Sequence, residues 1–507
     1  MTTENNEVLY ETESLCPECL EIVPARLVRT GNGEVEIVKK CPEHGEFREV
    51  VWSDVEMFER AMKYEHKGPG IENPQTECSE GCPRSCGLCD RHLSTTALGI
   101  IDVTNRCNLN CPVCFANAEA KGYVYEPSLE QIEEMLDLLR SERPVKTPAV
   151  QFAGGEPLVR DDIHEIIAAA DERGFHVQIA TNGIEFARNP ELAEDLHEAG
   201  LNVVYLQFDG LKPEIYEEVR GSRKVLELKK EAIKVLERVG LSTVLVPTLA
   251  RGVNDDQIRP MLDFAREYEV IRGINVQPIS FTGRTPKEER ERMRITIPDF
   301  VKLVEEQTDG RIPADSFYPV PVAAKIAHLI GRLHGEPKPE FSAHPICGVA
   351  TYLIEEDDWY RPITDYVDPD AFLDTLEKVA RKIGSLERTR DKAKATWIIA
   401  KNLRRIFKGI TGKKRLARLV VDVVTKGTYD ALSEYHWNAF LLGCMHFMDP
   451  YNFQVDRVRR CVIHYATPDG RIIPFCAYNT IHREEVERKF GVPLEEWKKQ
   501  RRKEQNE

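Results

Sequence analysis

Between about residues 96 and 310 the chain alternates two hydrophobic periods. Short apolar runs at 97–103, 149–153, 176–180, 203–208, 243–247 and 274–278 are continuous enough to be strands covered on both faces. The stretches between them, such as 129–139, 162–170, 193–199 and 225–239, repeat apolar residues at helical spacing with charge on the other side. Six rounds of strand and crossover helix predict a parallel α/β sheet, either doubly wound or curled into a partial barrel. In both forms the chemistry belongs at the carboxyl ends of the strands. Ahead of this core, 1–66 is expected to be a compact cysteine-bearing domain with an extended stretch at 34–38 and a helix over 55–64. Lys67-Gly68-Pro69-Gly70 breaks the pattern and opens a Cys-rich segment over 67–95, in which the dense run at 78–89 leaves almost no room for regular structure. Past the 96–310 core the alternation stops. Hairpin-like pieces at 347–363 and 461–476, the second turning at Thr467-Pro468-Asp469-Gly470, flank a long helical stretch. Residues 311–507 are expected to form an α+β domain.

The 507 residues allow about three domains. Lys and Arg number 69 against 84 Asp and Glu, a net charge of −15, which argues against a nucleic-acid partner because phosphate contacts need clustered cations. With 42% hydrophobic and 30% charged residues the chain can build a core. No apolar run reaches the ~18 residues of a membrane span, and the polar, acidic start has no basic or apolar leader region. A cytoplasmic location is the expectation.

Fourteen cysteines change the picture. Most lie two to four residues from another, the spacing of metal ligands rather than of disulfides in a cytoplasmic protein. Cys107, Cys111 and Cys114, in a tight loop after the first strand, offer three thiolates to three irons of a [4Fe–4S] cube and leave the fourth iron open. Cys82, Cys86 and Cys89 repeat this logic, with Cys78 as a further ligand or a free thiol, and predict a second cluster. Cys16-Pro17-Glu18-Cys19 and Cys41-Pro42-Glu43-His44 form two knuckles suited to a mononuclear Zn or Fe, the fourth ligand being His44 or a cysteine from elsewhere. One stretch departs from the acidic background: ten cations from Lys392 to Arg418, including Lys413, Lys414 and Arg415, are interleaved with Trp397, Ile398, Leu403 and Phe407. Such a basic amphipathic segment either lies in an anionic membrane interface or packs its stripe on the protein body.

The Cys107-Asn108-Leu109-Asn110-Cys111-Pro112-Val113-Cys114 loop after a first strand, with Gly154-Gly155-Glu156-Pro157 after the second, resembles the radical S-adenosylmethionine (SAM) superfamily. The flanking Cys16-Pro17-Glu18-Cys19, Cys82-Pro83-Arg84-Ser85-Cys86-Gly87-Leu88-Cys89, Cys444-Met445-His446 and His464-Tyr465-Ala466-Thr467-Pro468-Asp469 narrow the resemblance to the tetraether lipid synthase family of radical SAM enzymes. The resemblance implies a partial (β/α)6 TIM-like barrel with an N-terminal metal-binding segment and a C-terminal auxiliary-cluster domain. It implies SAM at Gly154, Gly155, Glu156, Thr181, Asn182, Gln207 and Asp209, although Asn-Gly and Asp-Gly are also ordinary turn formers. It makes Cys347, Cys444, Cys461 and Cys476 ligands of a third [4Fe–4S] cluster of SPASM or twitch type. The implied activity is abstraction of hydrogen by a 5′-deoxyadenosyl radical and joining of isoprenoid glycerophospholipid tails. Its implied partners are those lipids, an external donor of ferredoxin or flavodoxin type, and the inner face of the membrane. The alternative is a radical SAM enzyme that modifies a peptide or small molecule.

Overall fold

The computed structural model describes residues 7–118, 122–335, 337–356, 359–383, 389–408 and 439–504. Strands β1 (Glu7–Leu15), β2 (Ile22–Arg29), β3 (Val35–Cys41) and β4 (Gly45–Trp52) form an antiparallel meander. Alternation in β2 turns Val23, Ala25 and Leu27 inward and leaves Pro24 and Arg26 exposed, so the register follows from which residues shun water. The helix Val55–Met62 is capped by Asp54, whose carboxylate accepts from the Met57 amide at 3.0 Å, and it buries Val55, Phe58 and Ala61. From 63 to 97 the described chain has turns but no further helix or strand.

The six expected strands are present: β5 (Leu98–Thr104), β7 (Ala149–Gly154), β8 (His176–Thr181), β9 (Leu201–Gln207), β10 (Ser242–Val246) and β12 (Ile271–Pro278), with β6 (Tyr123–Val124) and β11 (Thr248–Leu249) in the connections. They pair in parallel, each beside its neighbour in sequence. Helices cross over between them. Leu129–Ser141 starts at a reciprocal Ser128–Gln131 cap, and Val225–Val239 ends at Gly240 in the left-handed conformation. Phe152, Ile179 and Leu206 on the strands and Leu136, Ile167 and Leu236 on the helices are fully buried, each side chain contributing about 1.5–3 kcal/mol of transfer free energy. This layer fixes the strand ends that carry the candidate site.

The C-terminal part adds β13 (Tyr318–Pro319), β14 (Gly348–Glu355), β15 (Tyr360–Pro362), β16 (Phe440–Met445), β17 (Ile463–Ala466), β18 (Ile472–Pro474) and β19 (Val492–Pro493). Both expected hairpins form, β14 with β15 and β17 with β18. Their strands extend the barrel sheet at both sides. β16 pairs in parallel with β12, and β17 pairs in parallel with β5, giving the order β13-β14-β16-β12-β10-β9-β8-β7-β5-β17-β18.

The basic segment is helical over Thr389–Ile406. Ala395, Ile398, Ile399 and Ile406 are buried in one cluster with Leu376 and Val379 of the helix Pro369–Lys382, so the stripe already has a partner. Trp397 remains 60% exposed, with the Lys401 ammonium 5.3 Å from its ring centre. Lys413, Lys414, Arg415 and Arg418 lie outside the described residues. Among the described residues no helix is long and apolar enough to cross a membrane.

Candidate active site and metal centres

The loop that carries Cys107, Cys111 and Cys114 leaves the end of β5 and is clamped at its root. Arg106 donates to Glu126 at 2.7 Å and to the Val159 carbonyl at 3.1 Å, while Asn105 and Tyr125 exchange backbone and side-chain bonds. Gly154 and Gly155 pack directly on this root. A Cβ on Gly154 would come within 2.1 Å of the Thr104 carbonyl oxygen, one on Gly155 within 2.1 Å of that of Arg106, and Gly154 has φ of +131°. Only glycine fits either position. The Gly155 and Glu156 amides donate to those same two carbonyls at 2.7 and 2.8 Å.

Glu156 is buried, and its carboxylate spans two strand ends. It accepts from Thr181 Oγ1 at 2.6 Å, the Asn182 amide at 2.7 Å and the Leu158 amide at 3.1 Å. Burial raises its pKa, against the pull of these donors. The Asn182 side chain donates to Asn108 inside the cysteine loop at 2.7 Å, so β8 reaches the loop directly. Asp209 is held by the buried Arg220 guanidinium through two bonds of 2.6 and 2.8 Å and also accepts from the Thr248 amide. Gln207 accepts the Lys229 ammonium through its backbone carbonyl at 2.6 Å and its side chain at 3.3 Å. The carboxylates of Glu156 and Asp209 therefore serve the shape of the site.

Burial raises the Cys107 thiol to about 12, with the Glu156 charge adding to it; Cys111 is raised by burial while Arg220 pulls it down. A bound metal ion, which takes thiolates, supplies the compensation these buried thiols lack. The donor set fits a cluster. Gly283, after β12, closes over the loop. A Cβ there would meet the Phe115 and Cys114 carbonyl oxygens at 2.3 and 2.5 Å, and the Arg284 amide donates to Cys114 at 2.9 Å.

A second group of thiols gathers where the 78–89 segment meets the C-terminal strands. Cys82, Cys86 and Cys89 line a cleft shared with Val458, Arg459 and Pro474. Burial lifts the Cys82 thiol to about 12 and also raises that of Cys86, and Cys78 lies close enough to Cys89 to hydrogen-bond it. Cys347, Cys461 and Cys476 feel one another's charge, and Cys461 also acts on Cys86. Arg457 donates to the Cys347 sulfur at 3.3 Å, and the Met448 amide donates to that of Cys476 at 3.3 Å. Cys444, expected with them, is not brought to this group. It is fully buried in the main apolar core with Phe440 and Leu442 of its own strand, and burial alone raises its thiol. Strand alternation sends residue 444 to the helix-covered face.

In the N-terminal meander the ligand atoms of Cys16, Cys19, Cys41 and His44 all lie within 4.8 Å of one another. Cys19 to Cys41 measures 3.9 Å, Cys16 to His44 Nδ1 3.7 Å and Cys41 to His44 Nδ1 3.5 Å. A tetrahedral zinc site with bonds of about 2.3 Å to sulfur and 2.0–2.1 Å to nitrogen has edges of roughly 3.4–3.8 Å. His44 takes the fourth corner that the sequence left open. Desolvation works to raise the Cys41 thiol, but bonds from His44 and the backbone bring it to about 6, toward the thiolate a metal needs.

Residues 101–265 match the radical SAM superfamily, and residues 8–53 match the HMPTM N-terminal zinc ribbon domain. The 7,8-dihydro-6-hydroxymethylpterin dimethyltransferase of Methanocaldococcus jannaschii is 49% identical over 96% of this chain and 97% of its own length. The chain belongs to this dimethyltransferase family. It is a radical SAM enzyme with a ribbon-held metal site. The GTP 3′,8-cyclase of Clostridium acetobutylicum is 25% identical over 53% of this chain and 89% of its own. The crystal structure of Streptococcus suis SuiB is similar at a TM-score of 0.36, with 23% identity over 43% of this chain and 47% of that one.

Family membership corrects the narrower resemblance drawn from the cysteine sets. The full-length relative is named for a pterin, so the tetraether lipid synthase activity and the glycerophospholipid partners are overturned. The motifs behind that resemblance report clusters and a ribbon, and these do not encode the substrate. Arg220, Lys229 and Asn108 were missed. Lys229 left a trace: it replaces an apolar residue in the stripe Leu226, Ile233, Leu236 of its helix, a position that asks for a buried partner. Arg220, the last residue of the helix Pro213–Arg220, left none.

Proposed function

We propose that the chain methylates a reduced pterin, 7,8-dihydro-6-hydroxymethylpterin or a close derivative, by radical chemistry at the mouth of the barrel. The observation that carries this is identity of 49% over 97% of the length of a protein named as the dimethyltransferase of that pterin. It favours the small-molecule alternative over lipid coupling. Cys107, Cys111 and Cys114 would hold a [4Fe–4S] cluster, which when bound would supply the electron for reductive cleavage of SAM. The chain's own part is geometry. Gly154 and Gly155 let the backbone approach the cysteine loop. Glu156, Thr181 and Asn182 lock the ends of β7 and β8 to it, and Asp209 with Gln207 fixes the end of β9. Cys78, Cys82, Cys86 and Cys89 form one auxiliary ligand set. Cys347, Cys461 and Cys476 form the other, without Cys444, and an external low-potential donor of ferredoxin or flavodoxin type feeds the chain electrons.

The test is anaerobic reconstitution with iron and sulfide, then incubation with the dihydropterin, a low-potential reductant and excess SAM, one molecule of which is cleaved to the radical while another donates its methyl group. Parallel arms run with and without a reduced one-carbon carrier as the alternative methyl donor, with products read by mass spectrometry. Pterins heavier by one and two methyl groups, together with 5′-deoxyadenosine, are expected; Cys107→Ala should give neither. If wild-type protein forms 5′-deoxyadenosine and the pterin is recovered unchanged, the substrate assignment fails.

A further inference from the structure

Away from the barrel mouth, three residues from separate segments converge. His66 lies in the linker before the 78–89 segment, His328 on the helix Pro321–His334, and Glu340 in the extended segment that leads to Cys347. The Glu340 side chain is 7% exposed and sits between the two rings. Its Oε2 is 2.9 Å from His66 Nε2, and its Oε1 is 2.9 Å from His328 Nδ1. The ring centres are 5.2 Å apart, and the three donor atoms all lie within 4.8 Å of one another. Residues 66 and 340 are 274 positions apart, so no sequence motif marks the group.

We propose that His66, His328 and Glu340 bind a divalent transition-metal ion of the zinc class. Two neutral imidazoles and one carboxylate are the donor types such ions take, and three protein ligands leave one position for water. Bonds of 2.0–2.2 Å place ligand atoms roughly 3.3 Å apart. The two imidazole–carboxylate separations therefore open by only a few tenths of an ångström, as the ion replaces the proton each pair shares. His328, half exposed, provides the way in and the place for the water. An ion here clasps the linker ahead of Cys78 to the segment ahead of Cys347, and so steadies both chains that lead into the auxiliary cysteines.

The test uses the full-length, cluster-reconstituted protein. It is equilibrated with zinc and desalted, then zinc and iron are counted in the wild type, His66→Ala, His328→Ala and Glu340→Gln. Each variant should hold one zinc fewer than the wild type at the same iron content, and zinc added beyond the equivalent that fills the ribbon in all four proteins should raise the Tm of the wild type alone. Equal zinc in all four proteins overturns the site and leaves a hydrogen-bonded triad that holds only protons. A second measurement guards against misfolding in the variants. X-ray absorption at the zinc edge of the Cys16→Ser, Cys19→Ser protein, whose ribbon is disabled, should show nitrogen and oxygen neighbours. Sulfur neighbours, or no bound zinc, overturn the assignment.

Discussion

Arg220 donates to both Asp209 oxygens, the Val113 carbonyl and the Thr248 hydroxyl, and its guanidinium is almost wholly out of water. Through Val113 it ties the end of β9 to the cysteine loop. Removing one partner of a buried ion pair leaves the other charge uncompensated, at a cost of about 3–5 kcal/mol. Arg220→Met is therefore expected to lower the unfolding free energy by that amount and reduce reconstituted iron, while adding Asp209→Asn restores part of the stability; denaturant melts and iron analysis check both. Lys229 is the other buried cation. Burial lowers its pKa to about 8, although Asp209 pulls it up. Between about pH 8 and its ordinary 10.5 the unfolded chain holds more protons than the folded one. Its contribution to stability thus rises with pH across that window, by at most about 1.4 kcal/mol per unit. Lys229→Met should abolish that rise, so the wild type gains on the variant between about pH 8 and pH 10 in denaturant melts. A gap between the two that does not change with pH would show that the buried lysine keeps its ordinary pKa in the folded chain.

The ribbon buries Leu27, Val35, Ile37 and Trp52 at one end, so it is the knuckle end that relies on an ion. Its own buried cluster around the metal holds little beyond Cys16, Val23 and Cys41, and zinc in comparable small units supplies about 10–16 kcal/mol of folding free energy. It docks on the C-terminal region through Tyr10 to Gln454 at 2.7 Å and Ser14 to the Phe453 carbonyl at 2.6 Å. Cys19→Ser, or chelation, should expose 8–53 to proteases while β5 to β12 stay protected; cleavage mapping by mass spectrometry distinguishes this from global unfolding. The ribbon's ligands were legible from their spacing alone, since two knuckles some twenty residues apart have few other uses. The six barrel strands were legible as continuous apolar runs, and the Cys107 loop as a strand-end motif. The roles of Glu156 and Asp209 were not, because a carboxylate in the sequence says nothing of whether it faces a ligand or a neighbouring amide. The place of Cys444 was missed for a related reason. The resemblance grouped it with Cys347, Cys461 and Cys476, whereas its parity within β16 decided which face it took. The His66, His328 and Glu340 group depends wholly on tertiary contact.

At the scale of the molecule, β5 and β12 would be the edges of a six-stranded barrel, and both are covered by strands from the far end of the chain. Gly273 of β12 pairs with Leu441, and Leu98 of β5 pairs with Ile463. An unpaired parallel strand rich in apolar residues is a template for association. A chain cut after residue 310 is therefore expected to be recovered largely as aggregate rather than as a smaller soluble enzyme; a solubility assay and size-exclusion profile of that fragment decide the point. The same pairing sets a schedule for biosynthesis. β5 emerges from the ribosome some 360 residues before its partner, and at about 5–20 residues per second it waits roughly 20–70 seconds with an edge open. During that interval the nascent barrel is expected to need cover for the open edge of β5, until β17 arrives to pair with it.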